Sequence, residues 1–147
     1  MTDTTVDILL IEDSVDDAAF VRHALKEADL GARLHIARDG AEALTFLFGA
    51  MPEPEAAPLV QPKVILLDLK LPKIGGLEVL RRLKGNPHTR AIPVVVLSSS
   101  QERRDLAESY ESHVNSYLLK PMDFDEFGNL IQTVVRYWLQ YNQTQRP

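Results

Sequence analysis

The sequence predicts an α/β fold: a doubly wound, five-stranded parallel sheet with helices on both faces. Two observations predict it. Short apolar runs rich in Val, Ile and Leu end abruptly in polar residues, at 6–11 before Glu12-Asp13, at 64–67 before Asp68, and at 94–97 before three serines. Such runs suit parallel strands buried on both faces. Segments of helical spacing fall between them, so strand and helix alternate along the chain.

The first strand, at 6–11, leads into a helix announced by Ser14-Val15-Asp16-Asp17. Ser14 reads as N-cap and Asp17 as its capping-box partner. Phe20, Ala24, Leu25 and Ala28 recur along this helix, and Gly31 is its predicted stop. Residues 34–37 are a weaker second strand. A second helix covers 39–48, with Ala43, Leu44 and Leu47 on one face. The stretch 49–62 holds prolines at 52, 54, 58 and 62 and no helical period. It reads as a long loop, a surface insertion or a partner-contacting segment. The third strand at 64–67 precedes a helix at 76–84 carrying Leu77, Leu80 and Leu83. The fourth strand at 94–97 precedes a helix at 101–112. The fifth strand, 116–119, precedes a long last helix at 123–141. The strand order expected for this alternation is 2-1-3-4-5, with a site at the carboxyl ends of the strands where the order reverses.

The length of 147 residues fits one domain. With 45% hydrophobic and 25% charged residues, the composition is that of an ordinary soluble protein. The absence of cysteine excludes disulfides and thiolate metal sites. No apolar run reaches membrane-spanning length, and the acidic N-terminus lacks the order of a secretion signal, so the cytoplasm is the expected compartment. A net charge of −5 argues against a nucleic-acid surface.

Three carboxylates then demand attention. In the 2-1-3 order, Glu12-Asp13 and Asp68 end neighbouring strands. Like charges so close repel unless a cation intervenes, and a hard divalent ion such as Mg²⁺ suits the donors. Acidic residues at strand ends also cap helices, so Asp13 alone would say little. Lys120, after the fifth strand, can reach an anion near Asp68, and Pro121 predicts a fixed peptide there, with a cis bond as one candidate. Ser98 offers a hydroxyl to the same pocket, although the Ser98-Ser99-Ser100 run also suits a helix-capping loop.

This ordered set resembles the response-regulator receiver family of two-component signalling. The matching residues are Glu12-Asp13, Asp68-Leu69-Lys70-Leu71-Pro72 with Gly75-Gly76, Ser98, and Tyr117-x-x-Lys120-Pro121. The resemblance spans about 6–137 and implies the flavodoxin-like receiver fold. It implies Asp68 as phosphoryl acceptor, and Glu12, Asp13, Asp68 and the Lys70 backbone carbonyl around Mg²⁺. It implies Lys120 as the phosphoryl-contacting lysine, and Ser98 and Tyr117 as switch residues. Serine at 98, where many relatives have threonine, keeps the hydroxyl and loses a methyl contact. Lys70 and Ser100 occupy positions that modulate phosphoryl decay in the family.

The proline-rich insert and the long aromatic last helix resemble single-domain regulators paired with bacterial phytochrome kinases. The implied partners are a sensor histidine kinase, with a bacteriophytochrome as candidate, a histidine phosphotransfer protein downstream, and a second copy of the chain. Trp138 is a candidate for that homodimer contact. Two rival readings fit less well. A phosphatase forming aspartyl phosphate needs an acid two residues past its nucleophile, and Lys70 stands there. A binding module of degenerate receiver type would lack the acceptor, the acidic pair or the lysine, and all are present.

Overall fold

The computed structural model describes residues 5–144, so the ends of the chain, including part of the acidic N-terminus, lie outside the described residues. The strands are β1 (Ile8–Ile11), β2 (Leu34–Ala37), β3 (Val64–Leu67), β4 (Val94–Ser98) and β5 (Ser116–Leu119). The helices are α1 (Val15–Ala28), α2 (Gly40–Phe48), α3 (Gly76–Gly85), α4 (Arg103–Glu111) and α5 (Phe124–Arg136), the last running into a π-helical turn at Tyr137–Tyr141. All strands are parallel, in the order β2-β1-β3-β4-β5. The predicted topology is therefore the observed one.

Strand alternation explains the three layers, because successive side chains point to opposite faces. Ile8, Leu10, Val64, Leu66, Val95 and Leu97 pack with α1 and α5, against Val21, Leu25, Phe127 and Ile131. Leu9, Ile11, Ile65, Leu67, Val94 and Val96 pack with α2 and α3, against Ala43, Leu47, Leu80 and Leu83. Each fully buried Leu, Ile or Val contributes about 1.5–3 kcal/mol relative to exposure. The central strands β1, β3 and β4 are buried along their whole length, which is why they read as unbroken apolar runs.

Several local expectations need correction. The first strand begins at Ile8 rather than residue 6, since Val6 and Asp7 precede the ladder. The α1 helix stops at Asp29, which takes the left-handed conformation at φ 50°, two residues before Gly31. Asp tolerates that region better than most residues, so the glycine was not required. The α4 helix starts at Arg103, after a turn organised by Ser100. No cis peptide occurs among the described residues, so the Lys120–Pro121 bond is trans.

The 49–62 insert is tied down at two places. The Leu59 amide donates to the Leu47 carbonyl at 2.6 Å, and Asn86 Nδ2 donates to the Ala56 carbonyl at 2.9 Å. Met51 and Leu59 remain exposed on it. Half-buried Trp138 and Leu139 pack against the α1/α5 side of the core, while Tyr137 and Tyr141 face solvent.

Candidate functional site

Register builds the site. Ile11 pairs with Leu67, so Glu12 and Asp68 emerge side by side at the carboxyl end of the sheet. The Asp68 amide donates to the Ile11 carbonyl at 3.0 Å, which extends the ladder to Asp68. Single oxygens of Glu12, Asp13 and Asp68 lie within 4.8 Å of one another, with Glu12 and Asp68 buried and Asp13 exposed. The sequence expectation for this trio is met in geometry.

The loop after Asp68 is held by backbone. The Lys70 amide donates to Asp68 Oδ1 at 3.2 Å, and the Gly76 amide donates to the Leu69 carbonyl at 3.0 Å. A Cβ at Gly76 would collide with the Asp68 carbonyl and the Leu69 backbone, so only glycine lets α3 begin this close to Asp68. The Lys70 side chain projects into solvent.

Lys120 reaches the pocket from the end of β5. Its backbone amide donates to the Ser98 carbonyl at 2.9 Å, fixing it to the end of β4. Its ammonium lies 2.6 Å from Glu12 Oε1, 2.9 Å from Asp17 Oδ2 and 3.4 Å from Asp68 Oδ2. Burial opposes the charge on Lys120, but the bonds to Glu12 and Asp17 outweigh it and raise the ammonium pKa. Glu12 moves upward as well, to about 7, because burial and the Asp68 charge outweigh the Lys120 bond.

Asp17 is the site residue that the sequence reading missed. It was assigned to a reciprocal capping box. Ser14 Oγ does accept from the Asp17 amide at 3.2 Å, but the Ser14 amide donates to Glu12 Oε2 at 3.2 Å instead. The Asp17 carboxylate is thereby released to Lys120. A helix-start acid one turn past the strand-end pair was the available signal.

The oxygens are the hard donors that a divalent cation prefers. Asp13 makes no hydrogen bond or ion pair among the described residues and is open to a ligand role. Glu12 already spends both oxygens, on Lys120 and the Ser14 amide. The donor set therefore fits a divalent ion, with Asp13 unpartnered and Asp68 held by longer bonds, at 3.2 and 3.4 Å, than the 2.6 Å that ties Glu12 to Lys120.

Ser98 is fully buried, and its Oγ accepts from the Ser100 amide at 3.1 Å. The Ser100 carbonyl accepts from the Tyr117 hydroxyl at 2.9 Å. Ser100 thus links the two predicted switch residues through its backbone. Its own hydroxyl is buried and donates to Asp105. Through that hydroxyl, which also accepts from the Glu102 amide at 3.3 Å, Ser100 organises the start of α4.

Residues 8–132 match the family model described as the response regulator receiver domain. Response regulator Rcp1 of Synechocystis sp. is 43% identical over 133 residues, covering 90% of this chain and 88% of that protein. A solved structure of Mn²⁺-bound Rcp1 superposes with TM-score 0.84 at 38% identity, covering 96% of this chain and 99% of the other. The phosphorylated cyanobacterial phytochrome response regulator RcpA gives TM-score 0.86 at 33% identity, covering 97% and 100%. The bacteriophytochrome response regulator AtBRR gives TM-score 0.67 at 41% identity, covering 96% and 100%. Among the described residues, no helix is long and apolar enough to cross a membrane. The acidic strand-end cluster, the lysine laid across it and these matches agree: the chain belongs to the response regulator receiver family, signalling phosphoacceptors rather than enzymes.

Proposed function

We propose that Asp68 accepts a phosphoryl group from the phosphohistidine of a sensor histidine kinase, and that a phytochrome-type kinase is that donor. The observation that carries this reading is the convergence of Glu12, Asp13, Asp68 and Lys120 on one pocket. The relatedness to Rcp1, RcpA and AtBRR supports the kinase class.

An Asp68 oxygen attacks phosphorus in line as the N–P bond breaks, and the electron pair leaves on the imidazole nitrogen. A carboxylate nucleophile requires no general base. Lys120 turns from its carboxylates toward the transferring oxygens and stabilises their charge. A divalent cation, Mg²⁺ in this reading, would be held by Asp13, Asp68 and the Lys70 carbonyl with Glu12 behind them, and would neutralise phosphoryl charge.

The switch follows from Ser98. Its hydroxyl turns to the phosphoryl oxygens and gives up the Ser100 amide. That loosens the Ser100 backbone and, with it, the anchor of the Tyr117 hydroxyl. The ring then moves toward the core and re-forms the face of α4, β5 and α5. The α4 helix suits this role, because Ser109 is its one buried residue and little packing holds it in place. The phosphoryl group biases this equilibrium only through contacts that differ between the two states.

Output goes through protein contacts: a second copy of the chain, and a histidine phosphotransfer protein downstream. Exposed Leu106, Tyr110, Leu119, Tyr137 and Tyr141 supply an apolar face for the homodimer. Intact-mass spectrometry after exposure to acetyl phosphate and Mg²⁺ tests the acceptor. One phosphoryl adduct on wild type and none on Asp68→Asn supports it, and equal labelling of both overturns it. Light scattering well above micromolar concentration tests the dimer, which a strict monomer with and without a phosphoryl mimic would remove.

A further inference from the structure

Ser100 bonds in three directions. Its amide donates to Ser98 Oγ at 3.1 Å, its carbonyl accepts from the Tyr117 hydroxyl at 2.9 Å, and its own hydroxyl donates to Asp105. The first two bonds reach the predicted switch residues, and the third reaches α4. Asp105 stands three residues past Glu102, the N-cap of α4, whose side chain makes no capping bond. In a capping box the acid at that place turns back to the N-cap amide. Here the Glu102 amide donates to Ser100 Oγ at 3.3 Å, and Ser100 Oγ in turn donates to Asp105. The box is therefore closed through the Ser100 hydroxyl.

Little else ties this end of α4 to the body of the protein. Its one buried residue, Ser109, donates to the Asp105 carbonyl inside the helix at 2.7 Å, and Arg104 pairs with Glu108 on the same helix. Leu106 and Tyr110 are exposed. Among the described residues, the Ser100–Asp105 bond is the one side-chain hydrogen bond between α4 and the rest of the chain. The far end is held by backbone, with the Val114 amide donating to the Ser109 carbonyl at 3.1 Å.

We propose that Asp105 is a positioning residue of the switch: it holds the start of α4 against the β4–α4 turn in the unphosphorylated protein and releases it on phosphorylation. The inference rests on the reading of Asp68 as acceptor and adds to it the residue through which the signal enters α4. When the Ser98 hydroxyl turns to the phosphoryl oxygens, the buried Ser100 amide loses its acceptor. A buried amide without an acceptor is unfavourable, so the Ser100 backbone shifts to find another. Its hydroxyl moves with it and leaves Asp105, which frees the first turn of α4. No apolar anchor at that end opposes the movement.

Amide hydrogen exchange of the full-length protein, free and with beryllofluoride and Mg²⁺ as phosphoryl mimic, tests this. In the free protein Asp105→Ala should speed exchange at residues 103–110 by about tenfold, the scale of one hydrogen bond to a charged group, and leave the strands unchanged. With the mimic bound, wild type and variant should exchange alike. Asp105→Asn, which still offers an oxygen to Ser100, should keep most of the protection. Ser100→Ala should match Asp105→Ala, and the double variant should exchange no faster. Should Asp105→Ala not fold, Ser100→Ala carries the same comparison. A bond made only in the unphosphorylated state opposes phosphorylation, so Asp105→Ala should also bind the mimic more tightly, by up to about tenfold. Equal acceleration with and without the mimic, unchanged mimic affinity, or additive loss in the double variant overturns the proposal. If wild type takes neither mimic nor phosphoryl group, the acceptor reading falls and the switch role of Asp105 with it. If wild type takes both and the variants behave as wild type, only the role of Asp105 falls.

Discussion

The Lys120 ammonium stands 2.6 Å from Glu12 Oε1, nearer than to the acceptor carboxylate it is expected to serve. Before phosphorylation its charge is spent on Glu12 and Asp17, and Asp68 takes third place. The pocket therefore sets one ammonium among four carboxylates, those of Glu12, Asp13, Asp17 and Asp68, and is net negative before a cation enters. Phosphoryl oxygens carry more charge than a carboxylate, and Lys120 can reach them with a small rotation.

Glu12 sets a pH dependence for cation binding. Its pKa is raised to about 7 in the folded protein from an ordinary 4.5. Between those values the folded state holds a proton that the unfolded state does not, so protonation of Glu12 favours the metal-free fold as pH falls from 7 toward 4.5. A cation must compete with that proton. Divalent affinity should fall below pH 7, by up to about tenfold per pH unit where one proton is displaced. Mn²⁺ titration followed by paramagnetic relaxation measures it, and Glu12→Gln should flatten the dependence around pH 7. The same slope in that variant would assign the proton elsewhere.

Asp17 positions Lys120. Asp17→Asn removes one of its two closest anions while keeping the helix start, since Ser14 caps through the Asp17 backbone. Initial labelling by acetyl phosphate should slow several-fold, on the order of 3–10, as expected for loss of a positioning contact. Lys120→Ala should slow it further, and the double variant should be no slower than Lys120→Ala alone. Additive losses would show that Asp17 acts independently of Lys120.

Much of this arrangement was legible in the sequence, and the exceptions have physical reasons. Strands β1, β3 and β4 followed from apolar runs and their polar ends, because central parallel strands tolerate little else, whereas the partly buried edge strands β2 and β5 left a weaker signal. Glu12, Asp13, Asp68 and Lys120 followed from their places at strand ends. Asp17 did not, because a helix-start acid serves equally well as a capping partner, and only the third dimension shows that Glu12 has taken that bond. The role of Ser100 was hidden for a similar reason. Its backbone, which carries the link between Ser98 and Tyr117, leaves no mark on residue type.

Gly76 is a steric requirement of the acceptor loop. Gly76→Ala places a methyl group against the Asp68 carbonyl and the Leu69 backbone. Overpacking of this kind costs about 1–3 kcal/mol, and it should lower the urea midpoint with an unchanged slope. Gly85→Ala, where an added Cβ meets nothing within 4 Å, is the control and should not lose stability.

Lys70 is expected to shield the product. Its amide holds Asp68 Oδ1 while its exposed side chain is free to cover a phosphoryl group from the solvent side. Lys70→Ala keeps the amide and removes the cover. Phosphate release from the labelled variant should be faster by about 2–5-fold, the scale of one exposed charge contact. Release at the wild-type rate would remove the shielding role.

The most direct measurement is chemical mapping of the acyl phosphate. Protein labelled with acetyl phosphate and Mg²⁺ is treated with borohydride, which reduces an aspartyl phosphate to homoserine, and the peptides are sequenced by mass spectrometry. The account predicts homoserine at position 68 and nowhere else, dependent on prior labelling. Homoserine at another aspartate, or a phosphoryl adduct on a residue that borohydride leaves untouched, would contradict it.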